Sequence, residues 1–136
     1  MAEYKRSPAF AGYHIFVPTS HIERYMDDAV FRFYETKKDD PIMVAANSFG
    51  EVINIHPFED GNGIICRLIL AHVLIQMKWC LFPVIFSSFH RRGRRHYIRA
   101  VKMFDRKPSM FYTMIVKSLI HCWDNFEQNA RMLTCC

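Results

Sequence analysis

Residues 56–63 read His-Pro-Phe-Glu-Asp-Gly-Asn-Gly, and an apolar stretch carrying Arg67 follows at once. The segment sets an imidazole, a carboxylate and a turn with two glycines next to one another. A turn that opens a helix aims backbone N–H groups outward, because first-turn donors lack intrahelical partners, and the helix dipole there favours negative charge. Glycine permits the positive φ values that such a nest needs and lets a phosphate approach closely. Asp60 is a candidate metal ligand and His56 a candidate proton acceptor. Together these parts suit chemistry on a nucleotide.

The elements that must position them are helices. Ser20 and Glu23 have capping-box spacing, and Ile22, Tyr25, Met26, Ala29, Val30 and Phe33 recur at helical intervals behind them. That helix should stop near Lys37–Asp40. Asp40 then caps a second helix with Pro41 at its first position, where the missing N–H costs nothing. Its buried stripe is expected to be Ile42, Ala45, Ala46, Phe49 and Ile53. Pro57 disfavours helical backbone at His56, so this helix ends there. The next helix, about Asn62 to Lys78, is apolar almost all round and is expected to be the enclosed one. Phe82–Phe86, interrupted by Pro83, reads as a loop or a short extended piece. A basic helix follows with Tyr97, Ile98, Val101 and Phe104 inward. The last helix presents Met110, Phe111, Met114, Ile115, Leu119, Cys122, Trp123 and Phe126. Residues 10–17 alone read as extended, forming a short hairpin. The expectation is one all-α domain over residues 1–136.

The run His56–Arg67, His-Pro-Phe-Glu-Asp-Gly-Asn-Gly-Ile-Ile-Cys-Arg, resembles the signature of the Fic (Fido) domain family, H-x-F-x-(D/E)-G-N-G-R-x-x-R. The preceding helix, the Arg67–Leu70 continuation, the loop around Pro83 and the Arg94/Tyr97 spacing extend the likeness over nearly the whole chain. The resemblance implies a helical bundle around a central buried helix, with a short β-hairpin flap at about 10–17. It implies transfer of AMP from ATP to a Ser, Thr or Tyr hydroxyl of a target protein. His56 would be the general base, a role typically worth roughly 10²–10⁴-fold. Asp60 would bind Mg²⁺, and Gly61, Asn62 and Gly63 would form the phosphate nest. Arg67, one helical turn beyond Gly63, can reach a phosphate. Phe58 would anchor the loop. The flap, with Tyr13, His14 and Ile15, would align the target main chain by strand addition.

Ile64 stands where the family pattern has its first arginine. A charge-assisted bond from that arginine is worth roughly 1.5–3 kcal/mol, so its loss predicts binding or turnover weakened about tenfold to a few hundredfold. Arg91, Arg92, Arg94 and Arg95 are candidate substitutes by charge alone. Two classes therefore stand side by side: a weakened adenylyltransferase, and a degenerate module that binds a nucleotide or a protein without transfer. The family's inhibitory pattern, (S/T)-x-x-x-E-(G/N), has no match, since Thr19–Glu23 is followed by Arg24. Either restraint comes from another segment or from a regulatory partner chain, or the domain is unrestrained.

A net charge of +5 on 136 residues admits acidic ligands such as ATP. The basic run Arg91–His96 is most simply a solvated helix face, so nucleic acid is not the expected partner. An apolar content of 51% supports a folded core. The odd set of five cysteines, without a C-x-x-C pair, points to a reducing compartment. Cys66, inside an apolar helix, reads as core. No signal-peptide pattern or membrane-length apolar run is present, which predicts a cytoplasmic protein.

Overall fold

The computed structural model describes residues 3–36, 38–77 and 91–134, with side chains omitted at 91–94 and 129–134. The sequence expectations for Pro83, for Phe82–Phe86 and for the side chains of Arg91, Arg92 and Arg94 lie outside these residues. Among those described, a small antiparallel hairpin precedes five helices. The hairpin pairs β1 (Phe10–Ala11) with β2 (His14–Ile15), in the register Phe10 opposite Ile15 and Ala11 opposite His14. The helices are α1 (Ile22–Thr36), α2 (Pro41–Ile55), α3 (Asn62–Gln76), α4 (Arg91–Lys102) and α5 (Pro108–Thr134). The chain divides into two compact units, residues 1–81 and 82–136.

In the first unit, α2 packs against both α1 and α3. Its start follows the sequence logic. Asp40 Oδ1 accepts from the amides of Ile42 and Met43, each at 3.0 Å, and Pro41 occupies the first helical position. Such a cap is worth about 1 kcal/mol. Arg32 Nε donates to Glu51 Oε1 at 2.7 Å and ties α1 to α2. The start of α1 differs from expectation. A 3-10 turn over Thr19–His21 leads into it, and the Ser20 hydroxyl meets the His21 ring at 3.0 Å instead of capping the helix. No side-chain cap forms there.

Burial is also distributed differently. The most enclosed helix is α2, which buries Val44, Ala45, Ala46, Phe49, Val52, Ile53 and Ile55. α3 buries the face Asn62, Cys66, Leu70, Val73 and Leu74 while Ile64, Leu68 and Ile75 are exposed. A helix apolar all round can present any of its faces, so periodicity alone does not choose the buried one. Along α1, Ile22 and Ala29 join Ile55 in the core with Val17 and Met26 packed against them, whereas Tyr25 and Val30 are exposed.

In the second unit, Ala100 and Val101 of α4 are buried, as are Phe111, Met114, Ile115, Leu119 and Cys122 of α5. Phe104 in the connecting turn meets Phe111 edge-on, centroids 5.3 Å apart. Ile98, Trp123 and Phe126, expected inward, are exposed. Among the described residues no helix is long and apolar enough to cross a membrane.

Candidate active site

The site begins where α2 stops. His56 is its C-cap, with its N–H donating to Val52 O at 3.0 Å and its backbone in the left-handed region at φ 53, ψ 59. A bulky residue there is strained by about 1–3 kcal/mol and persists only where its surroundings over-determine it. Three neighbours do so. Pro57 excludes a further helical step at His56 and is itself fully buried. The Lys5 amide donates to Pro57 O at 2.8 Å. Phe16, just past β2, stacks on the imidazole with centroids 4.1 Å apart and 22° between planes.

The surroundings of the imidazole favour its neutral form. Its Nδ1 is buried and has no hydrogen bond of good geometry among the described residues, while the residue as a whole keeps some exposure. Its pKa is lowered from 6.5, chiefly because burial penalises the imidazolium. The Ile53 backbone opposes this, and the charges of Lys5 and His14 add to it. With no well-formed bond at Nδ1, the Ile53 backbone is a weak partner and burial prevails. The neutral ring can accept a proton near neutral pH.

Gly61 opens α3 at φ 78, a conformation that suits glycine. Its carbonyl takes the amides of Ile64 (2.9 Å) and Ile65 (3.0 Å). The amides of Asn62 and Gly63 meet no acceptor among the described residues, which leaves two donors at the positive end of the helix. Arg67 belongs to this cluster: its guanidinium Nη1 lies 3.5 Å from where a Cβ on Gly63 would sit. Asp60 is exposed at the edge of the nest, with its Oδ1 accepting from Gly61 N at 2.7 Å. Ile64, 59% exposed, offers no donor to it.

Asn62 does more than lend its amide. Its side chain, 3% exposed, closes the loop on itself, accepting from Phe58 N at 3.0 Å and donating to Phe58 O at 2.7 Å. The loop is also laced to the N-terminal segment. Glu59 Oε1 accepts from the amides of Arg6 (2.8 Å) and Ser7 (3.1 Å), and the Tyr4 ring lies 6.1 Å from that of Phe58. Sequence reasoning missed Lys5, Phe16 and Glu59. Each acts on a partner about forty to fifty-three residues away, and no local spacing signals such pairings.

The hairpin sits at this site. Tyr13 is fully exposed at its tip and Ile15 is exposed beside it, whereas His14 turns inward and meets Phe16 edge-on at 4.8 Å. Cys66 is buried one turn into α3, and burial pushes its thiol up to about 12 against the opposing charge of Arg67, so it is no nucleophile. A separate apolar groove of about 520 Å³ runs between α1, α2 and α3, lined by Met26, Val30, Phe33, Leu68 and His72 among others. None of His56–Gly63 lines it, nor does Arg67. His56, Asp60 and Arg67 lie together at the motif and not in this groove.

The chain is similar to known proteins. A profile of the Fic/DOC family matches residues 2–74. A Fido domain-containing protein from Dictyostelium discoideum is 34% identical over 106 residues, covering 76% of this chain and 71% of its own. A protein from Aedes aegypti named protein adenylyltransferase Fic is 27% identical over 114 residues, covering 78% of this chain and 21% of its own. The solved structure of a Fic domain-containing signalling protein from Bacteroides thetaiotaomicron superposes with a TM-score of 0.63 at 23% identity, over 88% of this chain and 49% of that one. With the profile spanning more than half its length and a 34% identical Fido-domain relative covered over 71% of its own length, the chain belongs to the Fic/DOC family.

Proposed function

We propose that this chain transfers AMP from ATP to a serine, threonine or tyrosine hydroxyl of a target protein. The observation that carries the reading is the nest of unpaired Asn62 and Gly63 amides, with Arg67 beside it and a neutral His56 next to it in the chain. The relatives named protein adenylyltransferase favour the same reaction. In it, the acceptor oxygen forms a bond to the α-phosphorus of ATP and the bond to pyrophosphate breaks. His56 takes the hydroxyl proton. The two amides and Arg67 hold phosphate oxygens, where preorganised donors stabilise developing charge. The hairpin presents an exposed strand edge to which a target segment can add.

Among the described residues no group of three or more His, Cys, Asp or Glu could by itself hold a metal. One exposed carboxylate at the rim of a phosphate nest fits Mg²⁺, which is commonly bound by one or two carboxylates together with substrate phosphates. Asp60 would hold it, and the ion would neutralise charge on the phosphate chain.

One observation favours a second reading, a module that binds nucleotide without transfer: the exposed aliphatic Ile64 in the first turn of α3. Incubating wild type and His56→Ala with α-labelled ATP, Mg²⁺ and a lysate separates them. Label lost with the histidine supports transfer. Retained ATP binding with no label in either protein supports the binding module.

A further inference from the structure

Lys5 is anomalous beside His56. It is 3% exposed, and its Nζ is buried with no hydrogen-bond partner among the described residues. Lysine is almost never fully buried unless paired, and an ammonium stripped of water without a replacement bond is destabilised. Two contacts fix it in place. Its amide is bonded to the carbonyl of Pro57, the residue after His56, and its Nζ lies 5.8 Å from the centroid of Phe16. That ring is the one stacked on His56 at 4.1 Å.

We propose that Lys5 is a positioning residue for His56, its buried ammonium beside the shared Phe16 ring holding the imidazole in its neutral, proton-accepting form. This rests on His56 being the base. Like charges disfavour each other's charged forms, and apolar surroundings screen less than water. The Phe16 face offsets part of the ammonium's lost hydration. Burial lowers the Lys5 pKa from its ordinary value, and the nearby Glu59 carboxylate opposes that by favouring the ammonium. The titratable groups on the surrounding elements are His14 on β2, His21 ahead of α1, Glu59 and Asp60 on the loop, and Arg67 on α3. Lys5 and His14 both bear on the His56 ring in the lowering direction.

The test follows the imidazole resonances of His56 by NMR through a pH titration of the full chain, in wild type, Lys5→Met and Lys5→Arg. The pH dependence of AMP transfer is measured alongside. Methionine keeps a long apolar stem without charge; arginine keeps the charge. The methionine variant should raise the His56 midpoint by about half a pH unit, about threefold in its protonation equilibrium, with arginine near wild type. The acid limb of kcat/KM should move the same way. A midpoint unmoved in folded Lys5→Met, or raised equally in Lys5→Arg, overturns the proposal even where transfer is intact. A midpoint that moves as expected in a protein that transfers no AMP leaves the coupling standing and removes the catalytic reading. If Lys5→Met does not fold, Lys5→Gln carries the same expectation.

Discussion

Phe16 and His56 face one another as a near-parallel pair, 4.1 Å between centroids and 22° between planes. The first lies at the foot of the hairpin and the second is the cap of α2, so the hairpin and the end of that helix are joined through a ring contact. Aromatic pairs of this kind contribute about 0.5–1.5 kcal/mol beyond burial. The contact also removes water from one face of the imidazole, consistent with a protonation equilibrium lowered mainly by burial.

That lowering fixes the sign of the pH response. The unfolded chain gains a proton on this residue near 6.5, whereas the folded chain does so only at lower pH. Stability from this group is therefore complete above the unfolded value and is lost as pH falls through the folded one. Denaturation of wild type and His56→Asn across pH should give a stability difference that is constant at neutral pH and changes below 6.5. The change should go against wild type. The acid limb of transfer should likewise lie below 6.5. A stability difference independent of pH would show that burial leaves the imidazolium unpenalised.

Asn62 offers a test of the loop itself. It satisfies both backbone groups of Phe58 at 3.0 and 2.7 Å from a buried position. Alanine there strands a partly buried donor and acceptor, each costing about 1–3 kcal/mol when unsatisfied. Asn62→Ala should lose about 2–4 kcal/mol in urea denaturation and weaken ATP binding as the loop relaxes. A loss below about 0.5 kcal/mol, within the range of ordinary surface changes, would mean that the clamp is replaceable.

The contrast between α2 and its surroundings shows what a single sequence reveals. Asp40-Pro41 and the His56-Pro57 stop act within a few residues of themselves, so both ends of α2 were legible, as was the glycine turn that opens α3. Ser20 was misleading: its hydroxyl is taken by the His21 ring, and a 3-10 turn replaces the capped start. The lacing of residues 5–7 onto Pro57 and Glu59 joins positions some fifty apart. Nothing in the local pattern of either segment encodes the other. The choice of buried face on α3 was equally hidden, because Ile64 and Leu68 are as apolar as Leu70 and Leu74.

The two glycines of the nest should respond differently to one added methyl. Gly61 sits at φ 78, so alanine is strained there although nothing lies within 4 Å of the new atom. Gly61→Ala should destabilise by about 1 kcal/mol, the usual result where φ is positive. Gly63 is helical, and its added carbon would meet Arg67 at an ordinary 3.5 Å. Gly63→Ala should fold as well as wild type or slightly better, since alanine outdoes glycine in a helix by about 1 kcal/mol. It should nonetheless bind ATP less tightly, because the carbon enters the space between guanidinium and nest. Calorimetric titration with ATP beside a thermal melt reads both quantities. Unchanged affinity in Gly63→Ala would place the phosphates elsewhere.

Ile64 is where the chain departs from the family pattern and where the reading of weakened transfer is most exposed. Its side chain is 59% exposed in the first turn of α3, so arginine can be introduced without displacing core. A guanidinium there would lie near two unpaired amides and Arg67, facing whatever phosphate those groups hold. One charge-assisted bond of about 1.5–3 kcal/mol predicts that Ile64→Arg raises ATP affinity or AMP transfer by about tenfold to a few hundredfold. Ile64→Lys supplies a charge without the planar fork and should recover less. The readouts are label incorporated from α-labelled ATP and the ATP-induced rise in melting temperature. Stable, folded Ile64→Arg protein that gains in neither would mean the phosphates do not lie against the start of α3, and the assignment of Gly61, Asn62, Gly63 and Arg67 would fall with it.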